Sequence, residues 1–331
     1  MTATPHTLSV VMATYNGDAF IEAQLDSILR QTRLPDEIVI SDDGSTDNTL
    51  AIVTRVKATA PASVSWQVVT HSSPLGVANN FRSAASLATG DLIALADQDD
   101  WWVPGKLRTL ENTLVGKDAL LVHSDAELVD EAGNLLGMSV TDSLRMTRGE
   151  RRGLIAGRGL EQLVRRNLVT GHTVVMRRGV VELAGEIPAG WLHDEWWALI
   201  AAAHGRVVFC PEILGHYRQH TINQVGATRS GFARLMERFG EPQDEFRARH
   251  RTRHEGLLGY VTNNESSLPQ GSTRLLRGRI AHYTWQATLP ASRLLRVGPI
   301  VWRVVTGNYH RFRRGIFDAL RDMMQPGRPR T

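Results

Sequence analysis

Three carboxylates stand within four residues, Asp97, Asp99 and Asp100, with Gln98 between the first two. They follow the apolar run LIALA and precede Trp101 and Trp102. Crowded carboxylates repel one another unless a cation sits among them, and hard oxygen ligands favour Mg²⁺ or Mn²⁺. An ion held by so few protein oxygens is commonly completed by substrate phosphates, so the spacing points to nucleotide-phosphate chemistry. A bare D-x-D triplet is frequent by chance and by itself reads as a solvated loop, so context has to decide. Two further groups supply that context. His193, Asp194 and Glu195 open an apolar run between Trp191 and Trp196-Trp197. In GHYRQHTINQVG, residues 215–226, His216, Arg218 and His220 alternate, so in an extended segment they share a face, and Arg218 could grip phosphate bidentately. Zinc is not indicated, for the histidines come without cysteines or a HExxH frame.

The elements that must position these groups follow from periodicity. TLSVVMATY, residues 7–15, is an apolar β-branched strand ending in the turn residues Asn16, Gly17 and Asp18. Residues 19–31 place Ile21, Leu25, Ile28 and Leu29 on one helical face. A second short strand, 37–40, ends in Ser41-Asp42-Asp43-Gly44, and Ser45, Thr46 or Asp47 could cap the helix behind it. A strand at 63–70, a helix at 76–88 and a strand at 91–96 complete an order βαβαβαβ, which predicts a mainly parallel sheet with helices on its faces. Ligands of such sheets sit beyond the carboxyl ends of the strands. Thr14-Tyr15-Asn16, Asp42-Asp43-Gly44 and the acidic stretch all fall there, and that convergence raises the acids from a solvated loop to a site.

The chain of 331 residues is long enough for one large domain or a domain with an extension. Its net charge of +4 hides a division: residues 1–225 carry about 19 basic and 26 acidic side chains, whereas 226–331 carry 19 arginines and 8 acids. No apolar run is long enough to cross a bilayer, and MTATPHTLSV lacks the pattern of a secretory signal, so the expected location is the cytoplasm. Cys210, the single cysteine, reads as a buried bystander.

Taken together, VVMATYNG, DEIVISDDGSTDNT, GVANNF and ATGDLIALADQDDWW with PGK behind it resemble the nucleotide-sugar domain of the inverting glycosyltransferase family 2. The DQDD-W form, HDEWW and GHYRQH are similar to bacterial rhamnosyltransferase-type enzymes of surface polysaccharide assembly. The resemblance covers about residues 7–225. It implies an α/β GT-A (Rossmann-like) fold, a mainly parallel sheet flanked by helices, in 1–225, with a basic helical C-terminal extension in 226–331. It implies an enzyme that moves a sugar from a nucleotide donor, with L-rhamnose from dTDP-rhamnose or else a UDP-hexose, to a glycan or polyprenyl-diphosphate-linked acceptor, using Mn²⁺ or Mg²⁺. Thr14, Tyr15, Asp42, Asp43 and Asp97 would bind the nucleotide. Asp99 would be the direct metal ligand, with Asp97, Asp100 and His220 as further ligands. Gln98, Trp101, His123, Asp125, His172 and Arg218 would touch donor or acceptor, and Lys106 is either a phosphate contact or a surface lysine. Asp194 would be the catalytic base, with Glu195 as the fallback and helix capping the structural alternative.

Residues 138–159, polar and arginine-rich, read as a long irregular lid or surface excursion. The basic tail reads as helices, with helical spacing at Phe232, Leu235, Met236 and Phe239, at Leu275, Leu276, Ile280 and Tyr283, and across 294–305. Apolar faces bordered by arginine suit an anionic membrane surface at the inner face of the plasma membrane, packing on the front domain, or a homo-oligomer partner. Nucleic acid is not expected, because the tail lacks aromatics arranged for base stacking. A sugar-nucleotide pyrophosphorylase would open with a glycine-rich loop, which residues 7–17 do not contain.

Overall fold

The computed structural model describes residues 6–220 and 243–325, with side chains in the second stretch from 251 onward. The expected helix around Phe232 to Phe239 and the loop residues 221–226 lie outside these. Two compact units divide the chain, one of residues 1–159, 168–187 and 192–225, the other of 160–167, 188–191 and 226–331.

The first unit is built on strands β1 (Leu8–Thr14), β2 (Glu37–Asp42), β3 (Ser65–Thr70), β4 (Leu92–Asp97), β5 (Trp101–Trp102), β6 (Leu121–Val129), β7 (Leu135–Ser139), β8 (Val174–Arg177) and β9 (Val207–Arg218). They form one sheet in the order β3-β2-β1-β4-β8-β6-β9-β5, with β7 paired to β6. The first four strands are parallel to one another, as the alternating order predicts, while β8 runs antiparallel to β4 and β6. Val10, Val11, Met12, Ile38, Ile40, Leu92 and Ala94 are fully buried, the signature of parallel strands covered on both faces. Helices α1 (Ile21–Leu29), α2 (Thr49–Thr59), α3 (Val77–Leu87) and α4 (Lys106–Gly116) alternate with the strands and supply the cover. Register does the positioning. Thr14 pairs with Asp42 across β1–β2, and Ala13 with Asp97 across β1–β4, so the three polar strand ends lie side by side on one rim.

Residues 138–159 depart from the expected irregular lid. Helices α5 (Val140–Ser143) and α6 (Arg148–Ile155) follow β7 there. Each starts with a reciprocal capping box, Ser139 with Asp142 and Thr147 with Glu150, so side chains satisfy helix-end N–H groups that an irregular loop would leave to water. Helices α7 (Gly159–Leu163), all but its first residue in the second unit, α8 (Gly179–Ala184) and α9 (His193–His204) follow, the last two completing the helices of the first unit.

The second unit contains α10 (Gln243–Asn263), α11 (Gln270–Ala287), α12 (Arg293–Val305), α13 (Asn308–Phe312) and α14 (Ile316–Met324). Trp191 donates its indole N–H to the Arg253 carbonyl at 2.9 Å, and Arg279 donates to the Leu163 carbonyl at 3.0 Å, tying the two short early segments into this unit. Leu289, Ile300, Tyr309 and Ala319 form a small apolar core. No helix among the described residues is long and apolar enough to cross a membrane.

Candidate active site

Strand β4 ends at Asp97, and the chain turns through Gln98–Asp100 into the two-residue strand β5, which pairs with Gly215 and His216 of β9. That pairing brings the GHYRQH segment onto the acids. The Asp99 carboxylate lies 2.8 Å from His220 Nε2. Asp100, fully buried, accepts the Arg218 backbone N–H at 2.9 Å, and its second oxygen stands 3.4 Å from His172 Nδ1. Asp97 lies 3.9 Å from the same ring nitrogen. Asp97, Asp100 and His172 offer ligand atoms that all lie within 4.8 Å of one another. The Asp100 Oδ2 and both His172 ring nitrogens have no hydrogen-bond partner despite being buried, a condition that a bound cation relieves.

The electrostatics point the same way. Burial, then the charges of Asp99 and Asp194, push the Asp97 carboxyl well above its usual range. Burial, Asp99 and Asp97 do the same to Asp100. Lys106 is the nearby compensating charge, yet burial lowers its own pKa to about 7 against the pull of Asp100 and Asp97. Too much negative charge is gathered here for one desolvated lysine to neutralise, which is the environment a divalent cation fits.

Asp194 sits in the first turn of α9, where the helix dipole favours negative charge. Its oxygens accept from the Gly171 N–H at 3.0 Å and the Glu195 N–H at 2.7 Å. Those bonds fix the carboxylate, but burial and the Glu195 charge still raise its pKa to about 7. A Cβ at Gly171 would lie 3.0 Å from His193 Nε2, so any larger residue there presses on that ring. The ring of His193 stacks on Phe81 at 3.8 Å and carries the helix start with it.

Several expected contacts have other positions. Asp42 is fully buried and accepts from Thr14 Oγ1, Gly44 N, Ser45 N and Ser45 Oγ, so its carboxylate shapes the loop and has no face left for a nucleotide. Asp43 accepts from the Leu75 and Gly76 N–H groups and joins β2 to the start of α3. Gln98 is a bracket: its amide accepts from the Tyr15 N–H at 2.9 Å and donates to the Tyr15 carbonyl at 3.0 Å. Tyr15 itself stands exposed at the mouth.

His123 is buried against Phe209, and burial alone lowers its pKa to about 3. Asp125 is spent on Thr141, which gives it both backbone N–H and hydroxyl. Neither therefore lines an open sugar pocket. Arg218 is a brace rather than a free phosphate clamp. It donates to the carbonyls of Asp99, at 2.9 Å, and Glu131, with its guanidinium 4.7 Å from the Phe20 ring and 4.8 Å from Trp101. Trp101 also stacks on His216 at 4.7 Å and lines an open pocket of about 560 Å³ with Ser27, Arg30 and Arg218. Lys106 is neither at the surface nor turned to open solvent. It is fully buried over Trp102 and donates to the His172 carbonyl. Sequence reasoning singled out Lys106 from its place just behind the acids but did not foresee its burial, and it missed Phe20.

A curled, mostly parallel sheet with an acidic strand end and a helix-borne carboxylate on its rim is the GT-A architecture of nucleotide-sugar glycosyltransferases. The Glycosyl transferase family 2 domain matches residues 9–180, and the chain belongs to that family. It is 30% identical over 239 residues to the dTDP-rhamnosyl transferase RfbG of Shigella flexneri, a match covering 69% of this chain and 78% of that one. The chain spans 66% and 59% of the length of the first curated relatives it matches. Among solved structures, S. aureus TarS 1–349 in complex with UDP-GlcNAc superposes with a TM-score of 0.58 at 15% identity, covering 96% of this chain and 90% of that one. The mannosyltransferase PcManGT of Pyrobaculum calidifontis, in complex with GDP-Man and Mn²⁺, gives 0.51 at 19% identity, with 97% and 88% covered. These two likenesses establish the fold.

Proposed function

We propose that this glycosyltransferase performs a metal-assisted single displacement with inversion, Asp194 acting as the base. One observation carries the reading: Asp194, held by two backbone N–H groups with its pKa at about 7, lies close enough to the acidic loop for its charge to raise Asp97. The acceptor hydroxyl gives its proton to the Asp194 carboxylate as its oxygen bonds to the anomeric carbon. The bond from that carbon to the diphosphate breaks, and its electron pair leaves on the phosphate oxygen. A divalent cation, when bound, offsets the charge that gathers on the leaving diphosphate.

Asp97, Asp99 and His220 are the ligands proposed to face the substrate, because their side chains retain 28%, 17% and 8% exposure while Asp100 and His172 have none. Asp100 and His172 lie beneath and would complete the ligand set with their unpartnered atoms, while Lys106 sets the potential of the loop. Tyr15, exposed beside Thr14, is proposed to border the nucleotide base. The donor proposed first is dTDP-L-rhamnose, on the likeness to RfbG, ahead of a UDP-hexose, and the acceptor is a glycan or polyprenyl-diphosphate-linked saccharide of surface polysaccharide synthesis. The test is release of nucleoside diphosphate from dTDP-, UDP- and GDP-sugars with Mn²⁺, with and without lipid-linked acceptor. Failure of every donor to turn over or to shift the melting temperature would overturn this assignment.

A further inference from the structure

Helices α12 and α14 of the C-terminal unit are packed inside out. On α12, Leu294, Leu295, Val297, Val301, Trp302 and Val305 all face solvent, with Leu294 86%, Trp302 68% and Val305 75% exposed. The side turned inward carries Arg296, which is fully buried and donates to the carbonyls of Pro290, Ala291, Asp322 and Gln325. Helix α14 repeats the inversion. Ile316, Leu320 and Met324 point outward at i, i+4 and i+8, while Asp318, Arg321 and Asp322 are buried. Inside, Arg321 lies 2.8 Å from Asp322 and 3.5 Å from Asp318, Arg313 lies 3.2 Å from Asp318, and the Tyr309 hydroxyl donates to Asp322 at 2.8 Å. Water normally selects the opposite arrangement, and a contiguous apolar surface of this kind marks a contact with something other than water.

We infer that α12 and α14 form a docking face that lies on an anionic lipid bilayer. The charge around it selects this occupant. Along α12 to α14, residues 293–324, the only carboxylates are Asp318 and Asp322, both buried in ion pairs, whereas Arg293 and Arg311 are exposed; Arg277 on α11 is answered by Glu265 at 2.7 Å. That surface thus presents apolar side chains and guanidinium groups with no exposed acid, which complements anionic headgroups over acyl chains. A symmetric second copy would set arginines against arginines with no carboxylate to answer them. Neither helix is long enough to span, so the contact is interfacial: Leu294, Leu295, Val301 and Val305 enter the acyl boundary and Trp302 the headgroup zone. The inference is independent of the assigned donor and acceptor.

The test is co-sedimentation of the full chain with vesicles of phosphatidylglycerol and phosphatidylcholine, against phosphatidylcholine alone, at two salt concentrations. The protein is expected to pellet with the anionic vesicles and to be only partly released by salt. Leu294→Gln combined with Trp302→Gln should lower binding at least about tenfold, since two large exposed apolar groups no longer insert. Its circular dichroism and melting temperature should match the parent, because both residues are already in water. Arg293→Glu with Arg311→Glu should abolish the preference for anionic vesicles. Unbound protein with anionic vesicles, or equal binding by the Leu294/Trp302 variant, would overturn the inference. So would a parent dimer that these substitutions dissociate without any vesicle binding, which would assign the face to a second copy.

Discussion

Replacing Asp194 with Asn should remove activity and, above neutral pH, stabilise the protein. The Asp194 carboxyl titrates at about 7 in the folded chain against an ordinary 3.8, so the fold disfavours its ionised form. An unfolded chain sheds that proton first; the penalty therefore starts near pH 4, grows as pH rises and is complete above pH 7. By linkage it comes to about 2 kcal/mol at pH 5 and about 4 kcal/mol at pH 8. Asn carries no charge and escapes this penalty. Its single carbonyl can serve only one of the Gly171 and Glu195 N–H groups, a loss of about 1–2 kcal/mol that does not depend on pH. Urea unfolding of parent and Asp194→Asn at pH 5 and pH 8 should thus show the variant gaining about 2–3 kcal/mol relative to the parent between the two. In the transfer assay, parent kcat/KM should rise to a plateau above about pH 7 and fall about tenfold per unit below it, while the variant loses at least about a hundredfold at every pH. A stability difference that stays constant from pH 5 to pH 8 would refute the claim that this carboxylate is held at raised proton affinity.

Asp99→Asn should abolish transfer and weaken Mn²⁺-dependent binding of the nucleoside diphosphate by at least about tenfold, and His220→Ala should do so by a similar factor; calorimetry with and without Mn²⁺ reads both. Gly17→Ala puts a Cβ 2.4 Å from Gln98 Oε1 and should displace the bracket on Tyr15. It should fold, lose about 1–3 kcal/mol of stability for two hydrogen bonds and raise the donor KM, whereas Gly116→Ala, with open space around it, should do neither. Thr147→Ala removes the acceptor of the α6 capping box and should cost about 1 kcal/mol in urea unfolding without a change in kcat, since Thr147 bonds to Glu150 and to none of the rim acids.

What could be read in advance was what short-range pattern controls. Strands β1 to β4 and the helices between them follow from apolar runs and turn residues, and the parallel register that sets Thr14, Asp42 and Asp97 on one rim follows from their order. Side-chain commitments were not legible, because they depend on partners far along the chain. Asp42 looks like a ligand until Thr14, Gly44 and Ser45 are seen to satisfy it, and Asp125 until Thr141 does. Lys106 looked like a phosphate contact or a surface lysine because nothing local says that the His172 carbonyl, 66 residues on, will bury it. The helices at 140–155 are a different case, for S-x-x-D and T-x-x-E stand in the sequence at their starts and would have argued against a lid.

Buried acids occur in both units, and the direction of their titration separates two uses of the same residue type. In the C-terminal unit, burial would raise Asp318, but Arg313 and Arg321 outweigh it and hold the carboxyl down at about 2. Its charge is matched within the fold, and the group is finished as structure. On the rim of the sheet, Asp97, Asp100 and Asp194 are all raised, because burial and neighbouring acids act together and Lys106 is too desolvated to answer them. Folding alone gains nothing from such an arrangement; three well-packed amides or apolar side chains would be more stable. An arrangement that the apo fold opposes becomes favourable when a cation and a proton-bearing acceptor enter it, and that deficit is what the binding of both is proposed to relieve.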